Sequence, residues 1–258
     1  MGQDKNGLTW RGQSFLQAVV SALEPVCPRI LMVKSTDAQI LPPVHSCREI
    51  QVIVDREPLA GPVASLRTAL EWLRASTQPP TSLDRGDGNL GRLTSDPPPL
   101  SEPVIFLTGV DSPGLQPKLV SYLIERLARQ PQVHAVVPRL TPPSLGQGPI
   151  AGLSENSPQR PAVAAVEPPS SPTPPHVPQF VDYPLCAAYS MACYEPLLHF
   201  HGRGGRRLRE LLNTLQVDWV SASELARQDP HHLSLLNINT PEDYRAAQSP
   251  ADQSPANH

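Results

Sequence analysis

Little in this chain marks a secreted, membrane-spanning or nucleic-acid-binding protein. Its four cysteines, Cys27, Cys47, Cys186 and Cys193, are scattered through 258 residues without a C-x-x-C pair. That spacing excludes a zinc knuckle and a thioredoxin-like motif, and the thiols read as buried and free in a reducing cytosol. No apolar run approaches the ~20 residues of a membrane span, and no signal peptide is recognisable. The expected location is therefore cytoplasmic, with no membrane partner. Net charge is -3 with no basic block, so phosphate neutralisation along a nucleic acid is not expected. No serine sits in a nucleophile-elbow pattern. His199, His201, His231 and His232 lack metal-ligand spacing and read as solvent-facing. There is no internal repeat.

Proline is what the chain has in excess, 33 residues of it, and it is clustered. Residues 76–103 read as a flexible Pro-rich insertion and residues 140–178 as a second, disordered one. Residues 249–258 read as a polar tail. What remains, within residues 1–248, reads as one domain. Its apolar pattern alternates between two periods. Ile30 to Val33, Glu49 to Asp55, Val104 to Thr108, Val133 to Pro138, Leu185 to Tyr189 and Val217 to Val220 read as strands. The runs from Phe15 to Leu23, Val63 to Ala75, Gln116 to Arg129, Tyr194 to Phe200 and Arg206 to Leu215 read as helices. Strands alternating with helices predict an α/β fold, a mostly parallel sheet with helices on both faces. Leu235 to Asn239 reads as a last strand or turn. Thr240-Pro241-Glu242-Asp243 reads as a helix start, with the N-cap, the first-turn proline and the acids in their favoured places.

The strand Val104-Ile105-Phe106-Leu107-Thr108 is followed by Gly109-Val110-Asp111-Ser112-Pro113. Asp111 thus falls just past the carboxyl end of a strand that leads to a helix, the edge at which open α/β sheets bind ligands. An aspartate there suits a divalent cation that neutralises a nucleotide's phosphates; it also suits a simple helix cap. Asp55 ends another strand and belongs to the same edge if the two strands are parallel. Lys5, in a glycine-flanked loop, is the candidate ammonium. A lysine and a metal-binding aspartate together offset charge developing on a pyrophosphate leaving group. Arg203, Arg206, Arg207 and Arg209 form a basic cluster that reads either as a solvated face or as a contact for an anionic substrate.

Four stretches together resemble one family, the molybdenum cofactor guanylyltransferases, MobA-like NTP transferases. Met1-Gly2-Gln3-Asp4-Lys5-Asn6-Gly7-Leu8 is similar to the second half of the family's R-M-G-x-D-K-x-x-L signature. Asp55 with Pro58-Leu59-Ala60-Gly61-Pro62 is similar to the acidic strand end and its G-P-L-A-G loop, somewhat rearranged. Leu107 to Pro113 resembles the strand ending in C-D-x-P. Pro184-Leu185-Cys186-Ala187-Ala188-Tyr189 and Asn237-Ile238-Asn239-Thr240-Pro241-Glu242-Asp243 resemble the P-L-x-A-x-Y strand and the N-x-N-T-P-E-D close, the latter the most specific. They fall in the family's order.

The resemblance implies a Rossmann-like enzyme that joins GMP from GTP to molybdopterin and releases pyrophosphate. It implies Mg²⁺ as cofactor, GTP and molybdopterin as partners, and molybdoenzymes or their chaperones as recipients of the product. By position, Lys5 and Asp111 are the catalytic residues and Asp111 the metal ligand. Gly2, Lys5, Asp55, Gly61 and Asp111 belong to the nucleotide site, and Asn237 and Asn239 to the pterin side. Relatives that use CTP or a sugar 1-phosphate, and a non-catalytic copy, remain open. Family members carry a strand and a Gly-rich loop, L-A-G-G-x-S-x-R, ahead of the M-G-x-D-K segment. The expectation is that Met1 is an internal methionine of the motif. Without that central strand its neighbours are expected to be unpaired and much of the phosphate cradle absent.

Overall fold

The computed structural model describes residues 9–57, 60–77, 103–141, 180–240 and 243–245. Gly2, Lys5, the tail 249–258 and nearly all of both Pro-rich insertions lie outside the described residues.

The chain enters through a small hairpin, β1 (Thr9–Trp10) and β2 (Gln13–Ser14), which pair antiparallel. Arg11 and Gly12 make the turn with φ of 50° and 83°, the double left-handed conformation that closes a two-residue hairpin. Ser14 then caps α1 (Phe15–Leu23), accepting from the Gln17 amide at 3.2 Å. A parallel pair follows, β3 (Arg29–Lys34) and β4 (Glu49–Val54), then α2 (Pro62–Thr77) and β5 (Val104–Thr108). The second half holds α3 (Pro117–Ala128), β6 (Ala135–Leu140), β7 (Val181–Asp182) and β8 (Cys186–Ser190). It ends with α4 (Tyr194–Gly202), α5 (Leu208–Leu212), β9 (Val217–Val220) and α6 (Ala222–Gln228).

The α/β class holds, with two strands, β7 and β8, running against the others of their sheet. Among the described residues β5, β8, β6 and β7 are neighbours in that order, and β9 also pairs with β6. β8 runs antiparallel to both β5 and β6, whereas β6 and β9 are parallel. Among the described residues β3 pairs with β4 alone and β5 with β8 alone, so the strands there form separate sheets.

Strand residues alternate between two apolar layers because successive side chains point to opposite faces. Val104 and Phe106 of β5, Val136 of β6 and Ala188 of β8 face a layer built on α1, α3 and α6 through Val19, Leu119, Leu123 and Leu225. Ile105 and Leu107, Ala135 and Val137, and Tyr189 face the opposite layer, built on α2, α4 and α5 through Leu66, Leu70, Leu197 and Leu211. Cys186 and Cys193 are buried and free, and burial pushes both thiols up to about 12; Cys47, by contrast, is exposed.

Two polar clamps hold the periphery. Arg139, near the end of β6, grips Asp182 of β7, with Nε 2.6 Å from Oδ1, and lies over the Trp219 ring at 3.3 Å and the Phe180 ring at 5.2 Å. Leu140 pairs with Val181, so the second insertion leaves and returns at adjacent positions. Arg126 of α3 meets Asp218 of β9 at 2.6 Å and Glu224 of α6 at 2.5 Å. Glu224 also closes a capping box with Ser221 at the start of α6, an element the apolar pattern does not announce. The Ser221 amide, then Arg126, lowers Glu224 from 4.5 to about 2; Arg126 likewise lowers Asp218.

The clamped base predicts that an Asn-Gly turn replacing residues 142–179 leaves a four-residue hairpin connection between Leu140 and Val181. Cooperative thermal unfolding should persist with Tm within a few degrees of the full chain; loss of the transition would show that the insertion carries a structural element. A carboxylate held below its unfolded value contributes stability that is present above that value and lost as pH falls through the folded one. The Glu224 contribution should therefore fade between pH 4.5 and about 2. Tm measured across that interval should fall less steeply in Glu224→Gln.

Candidate active site

The candidate site lies at the carboxyl end of β5, and three sequence-distant segments build it. The Asp111 carbonyl accepts from the Ile238 amide at 2.9 Å. The Ser112 hydroxyl donates to the Asn237 side-chain carbonyl at 2.8 Å. These two bonds lay the segment Asn237-Ile238-Asn239 against the loop after β5. Trp10, Phe15 and Ile238 are buried together, with Val110, Leu236 and Tyr244 packed on them. Tyr244 donates its hydroxyl to the Thr9 carbonyl at 2.8 Å. The described chain thus enters beside the site, four positions after Lys5.

The loop's shape depends on close approaches that only glycine allows. A Cβ on Gly114 would stand 2.6 Å from the Leu233 carbonyl oxygen. Behind it, the buried Asp229 accepts from the amides of Leu233 at 3.1 Å and Ser234 at 2.7 Å. The Ser234 hydroxyl in turn accepts from the Gln116 amide at 2.9 Å. Asp229 and Ser234 therefore fix the loop from Ser112 to Gln116 through a turn at the other end of the chain. Sequence reasoning passed over both residues. Their only local mark is a small polar pair flanking His231 and His232.

Asp111 is half-buried, and its carboxylate makes no hydrogen bond or ion pair among the described residues. It lies folded over Gly109, where any Cβ would collide with its Oδ1. The carboxylates of Asp55, Asp182, Asp218 and Asp229 are all engaged. Asp55 is 5% exposed and accepts from Ser65 Oγ at 2.8 Å, Thr68 Oγ1 at 3.1 Å and the Glu57 amide at 3.1 Å. Both hydroxyls lie on α2, so Asp55 ties the end of β4 to the helix that follows. Gly61, with φ of 88°, makes the turn into that helix. The Arg206 carbonyl lies 3.6 Å from the place of a Gly61 Cβ, so the basic cluster abuts this turn. Arg207 pairs with Glu210 at 3.4 Å, and Arg209 donates to the Asp182 carbonyl at 3.3 Å.

The structure therefore joins Asp111 to the Asn237-Ile238-Asn239 segment by hydrogen bonds, and it sets Asp55, Gly61 and Arg206 around the start of α2. The Asn239 and Thr240 amides both donate to Asp243 Oδ2, and the Thr240 hydroxyl accepts from the Asp243 amide. This is the reciprocal cap that the sequence places at Thr240. His201 departs from its solvent-facing reading. Its Nε2 lies 3.2 Å from Glu57 Oε2 and its Nδ1 3.1 Å from Arg67 Nη1, because α4 packs against α2 there. Among the described residues no group of three His, Cys, Asp or Glu side chains is placed to hold a metal. No described helix is long and apolar enough to cross a membrane.

The profile of the MobA-like NTP transferase domain matches residues 1–219. The chain belongs to this family. A molybdenum cofactor guanylyltransferase of Desulfosudis oleivorans is 35% identical over 66 residues, 26% of this chain and 33% of that protein. A probable molybdenum cofactor guanylyltransferase of Chloroflexus aggregans is 24% identical over 253 residues, 96% of this chain and 87% of that one. Two crystal structures share the fold. Molybdopterin-guanine dinucleotide biosynthesis protein A of Archaeoglobus fulgidus aligns with a TM-score of 0.57 at 16% identity, covering 95% of this chain and 89% of that one. The 2-C-methyl-D-erythritol 4-phosphate cytidylyltransferase of Thermus thermophilus aligns with a TM-score of 0.54 at 16% identity, covering 94% and 91%. The family assignment makes this MobA-like domain a nucleotidyltransferase domain on a Rossmann-like fold.

The two loop glycines should separate stability from activity. In Gly114→Ala the new methyl meets backbone, which cannot swing aside, and should cost about 1–3 kcal/mol by chemical denaturation. In Gly109→Ala it meets the Asp111 carboxylate, which can. That variant should keep its Tm and lose nucleotide binding or turnover.

Proposed function

We propose that the protein is a nucleotidyltransferase that moves GMP from GTP to molybdopterin, forming the guanine dinucleotide and releasing pyrophosphate. The observation that carries this reading is the meeting of an unengaged Asp111 carboxylate with the Asn237-Ile238-Asn239 segment at a strand's carboxyl end. The near full-length similarity to the Chloroflexus aggregans protein supports the choice of pterin substrate.

A terminal phosphate oxygen of the pterin attacks the α-phosphorus of GTP, and the bond from that phosphorus to the bridging oxygen of the departing pyrophosphate breaks. Such a transfer needs alignment and charge stabilisation more than covalent help from protein groups. Asp111 is the residue to hold Mg²⁺. One free carboxylate suffices, because Mg²⁺ keeps several waters and takes substrate phosphates as further ligands. When bound, the ion supplies positive charge to the triphosphate and the leaving pyrophosphate. Lys5 adds an ammonium to the same phosphates. Gly2 and Gly61 let backbone approach the nucleotide. Asp55 acts by positioning, since its carboxylate fixes the Gly61 turn against α2. Asn237 and Asn239 face the pterin, with Asn237 oriented by Ser112. Molybdoenzymes or their chaperones receive the product.

Titration calorimetry with Mg-GTP and Mg-CTP tests the reading. GTP should bind and CTP should not. A preference for CTP would move the protein to cytidylyl transfer, and binding of neither would leave a non-catalytic copy. Asp111→Asn should lower Mg²⁺-dependent formation of the dinucleotide by on the order of 10²–10³-fold with Tm unchanged. Near-normal turnover would remove the metal role.

A further inference from the structure

The side chain of His201 is 12% exposed and stands in the last turn of α4, against α2. Its Nδ1 lies 3.1 Å from Arg67 Nη1, and its Nε2 lies 3.2 Å from Glu57 Oε2. A guanidinium has donors and no acceptor, so Nδ1 accepts from Arg67. Nε2 then carries the imidazole's own proton and donates it to Glu57. Arg67 Nη1 gives its other hydrogen to Glu57 Oε1 at 2.8 Å. The three side chains close a triangle in which each bond orients the next. In it α2, α4 and the segment after β4 meet. Arg67 Nε lies 3.2 Å from Glu71 Oε1, and Arg56 Nη1 lies 2.9 Å from Glu71 Oε2. Two carboxylates and two guanidinium groups therefore surround the imidazole.

The triangle bears on the start of α2. The Glu57 carbonyl accepts from the Ala60 amide at 3.1 Å, and the Gly61 carbonyl accepts from the amides of Ala64 at 3.1 Å and Ser65 at 3.4 Å. Asp55 holds the same place through the Glu57 amide and the Ser65 and Thr68 hydroxyls. Those bonds are local, whereas His201 is 134 residues from Arg67 and brings in the other half of the chain. Just past it the chain turns at Gly204, with φ of 85°. Gly205 packs so closely on the Phe200 ring that a Cβ there would collide with it. That fold returns the backbone to α2, where the Arg206 carbonyl lies 3.6 Å from the place of a Gly61 Cβ. The corner between α4 and α5 thus meets Glu57 through a side chain and Gly61 through the backbone. Packing of the two helices does not need the triangle. Leu66 and Leu70 of α2 and Leu197 of α4 are fully buried, and Arg74 reaches Glu195 at 3.8 Å farther along.

We infer that His201 is a positioning residue of the nucleotide site: it holds Glu57, and with it the Gly61 turn, against the corner between α4 and α5. The inference rests on the proposed function for one step, that the Gly61 turn meets the nucleotide. His201 acts through Glu57 and does not itself touch the substrate. A turn that must lie close to a ligand gains affinity by being fixed beforehand, since ordering it on binding subtracts from the binding energy. The brace therefore acts on affinity for the nucleotide and not on the chemical step.

Three variants of the full chain test it. His201→Leu keeps apolar cover and removes both ring nitrogens. His201→Gln keeps one acceptor and one donor. Glu57→Ala removes the group through which His201 acts. Amide hydrogen exchange is read first, without nucleotide. The amides of Ala60, Ala64 and Ser65 should exchange about tenfold faster in His201→Leu, with β6 and β9 unchanged and Tm within a few degrees. The dissociation constant for Mg-GTP should rise roughly tenfold, the equivalent of one charge-assisted hydrogen bond, while kcat stays the same. His201→Gln should restore both readouts. Glu57→Ala should reproduce the loss, and the double variant should be no worse than either single one, because the two residues act as a unit. Should His201→Leu fail to fold, Glu57→Ala, at a carboxylate 38% exposed, carries the test. Unchanged exchange at the three amides would overturn the inference. So would an equal loss in His201→Gln and His201→Leu, which would make the role one of packing, or faster exchange with unaltered GTP affinity. Failure of the unaltered chain to bind any nucleotide would sink the proposed function, while the exchange arm still decides the brace.

Discussion

Two hydrogen bonds at the end of β5 hold the candidate site together. One joins the Asp111 carbonyl to the Ile238 amide at 2.9 Å, and the other joins Ser112 to Asn237 at 2.8 Å. Without them the segment from Asn237 to Asp243 would have little to hold it, because among its described residues only Ile238 is buried. The Asp111 carbonyl is spent on this tie, and that leaves its carboxylate as the group presented outward. Asp229 and Ser234 support the tie from beneath by bonding the Leu233–Leu235 turn to the Gln116 amide. The site is thus fixed by one backbone bond and by side chains other than that of Asp111, whose carboxylate has no partner among the described residues. The proposed role of Asp111 toward a cation and phosphates needs that arrangement, since each internal hydrogen bond to the carboxylate would compete with the ligand.

The contrast between Asp55 and Asp111 makes the same point from the other side. Both end apolar strands at one edge of the sheet, and sequence position treats them alike. Burial does not. Asp55, at 5% exposure, satisfies its charge with two hydroxyls and an amide, because a buried carboxylate left unpaired costs several kcal/mol. In the proposed function it acts through the turn at Gly61, as an acid that shapes the nucleotide site, whereas Asp111 has its carboxylate available.

The elements that carry the fold were legible where local pattern and tertiary role agree. β5 reads as a strand because five β-favouring residues run together and both faces are buried in fact. α3 reads as a helix because Leu119, Leu123 and Leu127 fall on one face and are buried. The direction of β8 was not legible, because periodicity carries no sign of parallel or antiparallel. α6 was missed although Ser221 and Glu224 form a capping box, since its single buried residue, Leu225, gives no stripe. In the site, Asp111 and the Asn237 segment were legible through the family resemblance. The need for glycine at 114 was not, because the atom it avoids belongs to Leu233, far along the chain. The engagement of Asp55 was half legible: Ser65 and Thr68 lie three apart on one helix face, but only the structure turns that face toward β4.

The divided sheet bears on how such a site can be built at all. A strand's edge holds fixed donors and acceptors at 3.2–3.4 Å per residue, so two edges bound to a common strand are locked in register with each other. Among the described residues no ladder joins β3 to β5, and apolar side chains of α1, α2 and α3 lie along both. Apolar packing is non-directional and tolerates small slides that a hydrogen-bond ladder does not. The candidate site straddles this join, with acid and asparagines on one side and glycine turn and arginines on the other.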